Sequence, residues 1–229
     1  MRLLDLFCCA GGAGMGYHQA GFEIVGVDVH PQPRYPFAFI QHDALTLDPR
    51  FLRSFDAIHA SPPCQGYTDL RHAPGAKGAA RLIGAVREML QRTGRPWIIE
   101  NVEGARSEMV SPIVLCGTMF ELRARGANLR RHRLFESNVQ LTPPGQCDHD
   151  ASRPTVGVYG GHARIRSAKH GGRKTRDEWP GGHKPVAQEA MGMDWATLAE
   201  MSEAIPPAYT RFIGLQLQQH LLGIERQAA

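Results

Sequence analysis

One cysteine in this 229-residue chain is presented in a way that suits a nucleophile. The apolar run Phe55-Asp56-Ala57-Ile58-His59-Ala60 reads as a buried strand, and it stops at Ser61-Pro62-Pro63-Cys64-Gln65. Proline fixes its own φ and restricts the residue before it, so Ser-Pro-Pro holds Cys64 on a stiff turn. Open α/β sheets bind ligands beyond the carboxyl ends of their strands, and a thiol held rigidly there is a candidate nucleophile. The same stretch also reads as a buried cysteine behind an ordinary proline turn. Its surroundings have to separate the two.

Those surroundings are a series of strands that end in polar groups. Arg2 to Phe7 alternates into a first strand, broken by Cys8-Cys9-Ala10-Gly11-Gly12-Ala13-Gly14-Met15-Gly16. A helical pattern then runs to about Ala20 and stops at Gly21. Phe22 to Val29 forms a second strand that closes on Asp28. A glycine loop lets backbone approach a ligand, the helix start offers free N–H groups, and an acid about 20 residues on can accept ribose hydroxyls. This context points to a nucleoside cofactor; the alternative is a turn that only needs a positive φ. Phe37 to Gln41 reads as a third strand, followed by Asp43, and the fourth leads to Cys64. The polar stretch from Thr68 to Ala80 reads as a loop able to close over a substrate. Arg81 to Arg92 has helical apolar spacing, and Pro96 to Ile99 makes a fifth strand ending in Glu100-Asn101-Val102. Asp28, Asp43, Cys64 and Glu100 therefore line one edge of a parallel sheet, beside the glycine loop.

Further strands are expected over Ile113 to Phe120 and Arg131 to Glu136. Pro143 to Lys184 is rich in Gly, Pro, His and basic residues and reads as an insertion outside the core, with one apolar patch at Thr155 to Tyr159. Val186 to Met191, Trp195 to Met201 and Ala208 to Leu222 read as helices. This divides the chain into a core over 1–136, a basic insertion over 137–185 and a helical return over 186–229.

Composition sets the outer bounds. Hydrophobic content of 42% and charged content of 21% are those of a globular domain, and no apolar run could span a membrane. The amino-terminal segment resembles a core strand rather than a signal peptide. Five cysteines without paired C-x-x-C spacing argue against a disulfide framework and a zinc ribbon, so a reduced, cytoplasmic setting without metal is expected. The net charge of +4 is uneven. Leu122–Phe135 and Ala151–Arg176 hold 12 of the 26 basic residues and no acid, leaving 14 basic against 22 acidic residues elsewhere. One basic sector on an acidic body is the footprint of a polyanion-binding face, and a solvated loop is the plainer reading of the second window.

Taken in order, these segments resemble the C5-cytosine-specific DNA methyltransferases. Asp5-Leu6-Phe7-Cys8-Cys9-Ala10-Gly11-Gly12 is similar to the family's cofactor motif, Ser61-Pro62-Pro63-Cys64-Gln65 to its Pro-Cys-Gln loop, and Glu100-Asn101-Val102 to its Glu-Asn-Val motif. Arg131-His132-Arg133 resembles its Arg-x-Arg core, Gln188 to Met193 the segment after target recognition, and Ser202 to Pro207 the final motif. The resemblance implies a Rossmann-like α/β fold with a mainly parallel sheet and helices on both faces. It also implies S-adenosylmethionine as cofactor and methyl transfer to carbon 5 of a flipped cytosine in DNA. Cys64 would attack carbon 6, Glu100 would bind the ring edge, and Arg131 and Arg133 would hold the base and a phosphate. Phe7, Cys8, Cys9, Gly11, Gly12, Asp28, Val29, Asp43, Ala44, Pro63, Glu203 and Ala204 would bind the cofactor. Gln65, with Arg164, Arg166, Lys169, Arg173 and Lys174 of the basic insertion, would meet the nucleic acid.

The chain departs from the family pattern at four positions. Cys9 and Ser61 stand where glycine is usual, Leu129 where glutamine is usual, and Glu203 where asparagine is usual. The insertion is short for target recognition, so loose or borrowed selectivity is expected. A monomer is expected, and Cys8, Cys116 and Cys147 are given no catalytic role. RNA remains an alternative substrate, transfer of a group other than methyl a second alternative, and a non-catalytic nucleic-acid-binding protein of the same fold a third.

Overall fold

The computed structural model describes residues 1–67, 80–150, 152–160, 162–166, 175–176 and 182–228. Its centre is a seven-stranded sheet in the order β3-β2-β1-β4-β5-β9-β6. The strands are β1 (Arg2–Leu6), β2 (Glu23–Asp28), β3 (Ala38–Gln41), β4 (Ala57–Ala60), β5 (Trp97–Asn101), β6 (Ile113–Leu115) and β9 (Arg133–Ser137). From β3 to β5 all pairings are parallel, while β9 runs antiparallel to both β5 and β6. The chain leaves β1 for β2 and β3 on one side, then returns to β4 and β5 on the other. The loops after β1 and β4 therefore flank the point where strand order reverses, the place where open α/β sheets take ligands.

Alternation along each strand sends side chains to two different layers. Leu4, Leu6, Ile58 and Ile99 pack with Leu52, Phe55, Ile83, Val86 and Leu90, which belong to or flank helices α2 (Pro49–Arg53) and α3 (Ile83–Gln91). Leu3, Ala57 and Ile98 face the other way, onto Tyr17 of α1 (Gly12–Gln19) and Tyr209, Ile213 and Leu217 of α6 (Pro207–Ala228). Helices thus cover both faces, as expected. Two glycines let α1 and α6 come together. A Cβ on Gly16 would stand 2.1 Å from Pro207 O, and one on Gly214 would stand 2.7 Å from Ala20 Cβ.

A second sheet of five strands has the order β12-β11-β10-β8-β7. It comprises β7 (Arg123–Ala124), β8 (Ala127–Leu129), β10 (Thr155–Tyr159), β11 (His162–Arg166) and β12 (Thr175–Arg176). Val156 and Val158 of β10 are buried with Leu129 and with residues of α4 (His183–Met191) and α5 (Leu198–Glu203). The patch at Thr155 to Tyr159 is therefore core, contrary to expectation. The alternation of Val156 and Val158 with Gly157 and Tyr159 signals a half-buried strand. Its parallel partner β8 lies before residue 137, so this sheet draws on both sides of the expected boundary. The strand expected over Ile113 to Phe120 ends at Leu115, and Gly117–Phe120 is a 3-10 turn. Gly117 is pressed against Leu129, where an added Cβ would lie 2.3 Å from Leu129 O. No helix among the described residues is long and apolar enough to cross a membrane.

Candidate active site

The loop after β1 takes left-handed backbone at Phe7 (φ 57°), Cys9 (φ 43°) and Gly11 (φ 82°). Cys9, where glycine would adopt such a φ freely, holds it nonetheless. Its N–H donates to Asp28 Oδ2 at 3.1 Å, and His30 N–H donates to Asp28 Oδ1 at 2.9 Å. The Asp28 carboxylate is thereby fixed, and each oxygen keeps a free lone pair. On β1, Asp5 is buried, Tyr35 donates to its Oδ2 at 3.1 Å, and its Oδ1 has no partner among the described residues. Burial pushes the Asp5 carboxyl up to about 8.

The turn after β4 is pinned from the next strand. Asn101 Nδ2 donates to Pro62 O at 2.8 Å, and Tyr67 N–H donates to Cys64 O at 2.9 Å. Asn101 thus supports the turn that presents the thiol, while its neighbour Glu100 is buried beside it. Arg133 Nε lies 3.2 Å from Glu100 Oε1, and Arg133 Nη1 donates to His132 O at 2.8 Å. Desolvation raises the Glu100 carboxyl above its ordinary value, against the pull of Arg133 and a hydrogen bond from Ser61. Desolvation also raises the Cys64 thiol, helped by the charge of Glu100 and opposed by Arg133.

A polar chain runs from α1 through β4 to the turn that presents Cys64. His59 Nε2 is 2.9 Å from Ser61 Oγ, and His59 Nδ1 is 3.0 Å from Tyr17 Oη. Burial holds the His59 imidazole down near 3, so it is neutral and carries one N–H. A neutral ring carries one N–H, so one of these two hydroxyl partners donates to it and the other accepts from it. Sequence reasoning noted Ser61 as a departure from glycine without seeing that a serine there supplies a hydroxyl partner to His59. The signal available was a histidine inside a buried strand, which needs partners on both ring nitrogens.

Cys64, Glu100, Arg133 and Asp28 border one cavity of about 310 Å³. Of the expected residues, Phe7, Cys8, Cys9, Gly12, Asp28, Val29, Pro63, Cys64, Gln65, Glu100, Arg133, Glu203 and Ala204 line it. Asp5, Ser61, Pro62, Val102 and Ile205, quoted in the motifs but given no role, also line it, together with His30 and Gln32, which were not anticipated. Gly11 stands just behind the wall as the residue before α1. Asp43 and Ala44 are outside the wall: Asp43 Oδ1 accepts from Leu45 N–H at 3.0 Å and caps a 3-10 turn.

Arg131 is a correction. Expected to hold a base, it is fully buried and donates to Val158 O (2.8 Å), Ser202 O (2.7 Å) and Ala204 O (2.7 Å). Its guanidinium ties the second sheet to the segment that carries Glu203 and Ala204. Arg164 is exposed on β11, and Arg166 follows on the same strand. Lys169, Arg173 and Lys174 lie outside the described residues.

Fold and cavity together define a Rossmann-like α/β protein of the methyltransferase type. Its fold is similar to that of a methyltransferase from Entamoeba histolytica, EhMeth, at a TM-score of 0.56 and 11% identity, covering 97% of this chain and 98% of that one. The family model for C-5 cytosine-specific DNA methylases matches residues 1–111. The chain is 31% identical over 121 residues to the Type II methyltransferase M.HgiGI of Herpetosiphon aurantiacus, covering 46% of this chain and 94% of that relative. It is 32% identical over 127 residues to the Type II methyltransferase M.AgeI of Thalassovita gelatinovora, covering 47% of this chain but only 29% of that longer relative. This chain belongs to the C-5 cytosine-specific DNA methylase family.

Proposed function

We propose that the chain transfers a methyl group from S-adenosylmethionine to carbon 5 of cytosine in DNA, through a covalent bond between Cys64 and carbon 6. The observation that carries this reading is the meeting of Cys64, Glu100 and Arg133 with the glycine-loop backbone and Asp28 around one cavity. Carbon 5 of cytosine is a weak nucleophile. Addition of the Cys64 thiolate at carbon 6 moves electron density to carbon 5, and the neighbouring Glu100 can donate to N3 while accepting from the exocyclic amine. A raised Glu100 carboxyl favours the protonated form which that donation requires. Loss of the carbon 5 proton to solvent then expels the thiolate and restores the ring. Arg133 stays on Glu100 throughout, orienting it.

The cavity residues fit the cofactor. Asp28, fixed by two backbone N–H groups, would accept the ribose hydroxyls. Glu203 would meet the ammonium end. When bound, S-adenosylmethionine supplies an electrophilic methyl group. A base inside a duplex cannot reach this recess, so extrusion into it is part of the reading.

Oligonucleotides carrying 5-fluorocytosine test it, because fluorine at carbon 5 blocks release of the enzyme. With cofactor present, the DNA form should yield a denaturation-resistant adduct on Cys64, located by peptide mass spectrometry, and Cys64→Ala should give none. An adduct with RNA alone would move the substrate to RNA. No adduct with either polymer would sink the covalent mechanism.

A further inference from the structure

Four metal-type ligands meet at a place that the proposed chemistry does not use. Cys116 follows β6, His132 precedes β9, and Cys147 and His149 lie between β9 and β10. One ligand atom from each lies within 4.8 Å of all the others. Cys116 Sγ is 3.4 Å from His149 Nε2, and Cys147 Sγ is 3.7 Å from His132 Nε2. Zinc bonds of about 2.3 Å to sulfur and about 2.0 Å to nitrogen, at tetrahedral angles, put S and N about 3.5 Å apart. These two edges bracket that value.

We propose that Cys116, His132, Cys147 and His149 form a closed structural zinc(II) site that fastens the segment leading to β10 onto the catalytic sheet. Two thiolates and two imidazoles are the donor set of tetrahedral zinc, and four protein ligands leave no position open for catalysis. The surroundings have the form that such ligands require. His132 would bind through Nε2, and its Nδ1 faces Glu103 Oε2 at 3.2 Å, the carboxylate that fixes ring and tautomer in many zinc sites. Thr118 Oγ1 donates to Cys116 Sγ at 3.4 Å, as a bound thiolate would accept. Cys116 is buried and His149 is exposed, so the site is anchored in the protein and reachable from solvent. All five cysteines are free thiols, so no disulfide competes for these two sulfurs. The spacing explains why the sequence suggested no metal. The ligands are separated by 15, 14 and 1 residues, with no C-x-x-C pair, and only the fold brings them together.

Elemental analysis of the full chain, purified without added chelator, should find one zinc per molecule. Exchange into cobalt(II) should give the intense visible bands of a tetrahedral site and a thiolate charge-transfer band. Cys147→Ser combined with His149→Ala, both on a loop, should reduce the zinc content to none. Glu103→Ala should weaken zinc affinity about 10–100-fold. Because Cys116 variants can fail to fold, a second measurement uses the unmodified protein. Alkylation followed by mass spectrometry should find Cys116 and Cys147 protected until a chelator is added. Metal-free protein whose Cys116 and Cys147 are alkylated without a chelator overturns the proposal. So does a Cys116–Cys147 disulfide, or zinc retained at full stoichiometry in the double variant.

Discussion

Cys64 stands between Glu100, whose negative charge opposes thiol ionisation, and Arg133, whose positive charge favours it. Methyl transfer by the proposed route needs the thiol ionised and Glu100 protonated, while both groups are raised by burial. Because the thiol ionises at higher pH than the carboxyl, the rate should climb with pH until Glu100 begins to lose its proton, stay level while gain of thiolate offsets loss of protonated Glu100, and fall once the thiol is fully ionised. Arg133→Gln removes the cation that holds both groups down. Both limbs of the profile should then move to higher pH, with a loss in rate of about 10²–10³. Glu100→Gln separates the two effects: alkylation of Cys64 at fixed pH should accelerate, because an opposing charge is gone, while methyl transfer is lost. Slower alkylation in that variant would show that Glu100 does not govern the thiol. At this scale the sequence placed Cys64 and Glu100 at neighbouring strand ends, and both line the cavity, because rigid turns and strand ends are local properties. It misassigned Arg131, whose partners Val158, Ser202 and Ala204 are 27 to 73 residues away, and no local pattern reports a long-range capture of that kind.

The elements that carry these residues are held from behind by the pairing of α1 with α6. Gly16 is needed there for close approach and not for its φ. A Cβ would fall 2.1 Å from Pro207 O and 2.0 Å from Thr210 Oγ1, and Thr210 Oγ1 also donates to Ala13 O at 2.8 Å. Gly16→Ala must push α6 away from α1, and overpacking of this kind costs about 1–3 kcal/mol. Because α1 begins directly after the glycine loop, the same variant should bind S-adenosylmethionine more weakly; calorimetry beside thermal melting checks both. An unchanged melting midpoint would mean that the helices separate freely. The strands from β1 to β5 were legible because their periodicity and punctuation are strong. The β7–β8 pair, two and three residues long, was not, since strands so short have no period to read. Their place in a sheet is set by β10, whose parallel pairing to β8 spans 26 residues of chain.

Across the whole molecule, the first of the two acid-free windows is engaged largely in contacts within the protein. In the first, Arg131 is buried under carbonyls, Arg133 faces Glu100, Arg130 donates to Asp150 O at 2.6 Å, and Arg125 Nε lies 3.1 Å from Glu189 Oε2. Most of that charge is used in building the protein and is poorly placed to meet a phosphate. On the proposed reading, the phosphates of DNA would meet the second window, which includes Arg164, Arg166 and Arg173. Each phosphate neutralised by a cation contributes about −0.9 to the slope of log affinity against log salt. Replacing these three arginines by glutamate should reduce the magnitude of that slope by up to about 3 and weaken binding alike for every DNA sequence. Arg125→Glu should break the pair with Glu189 yet leave the slope unchanged. Fluorescence anisotropy titrations across a salt series measure both. If the triple variant keeps the native slope and Arg125→Glu lowers it, the nucleic acid lies against the first window and the charge assignment is reversed.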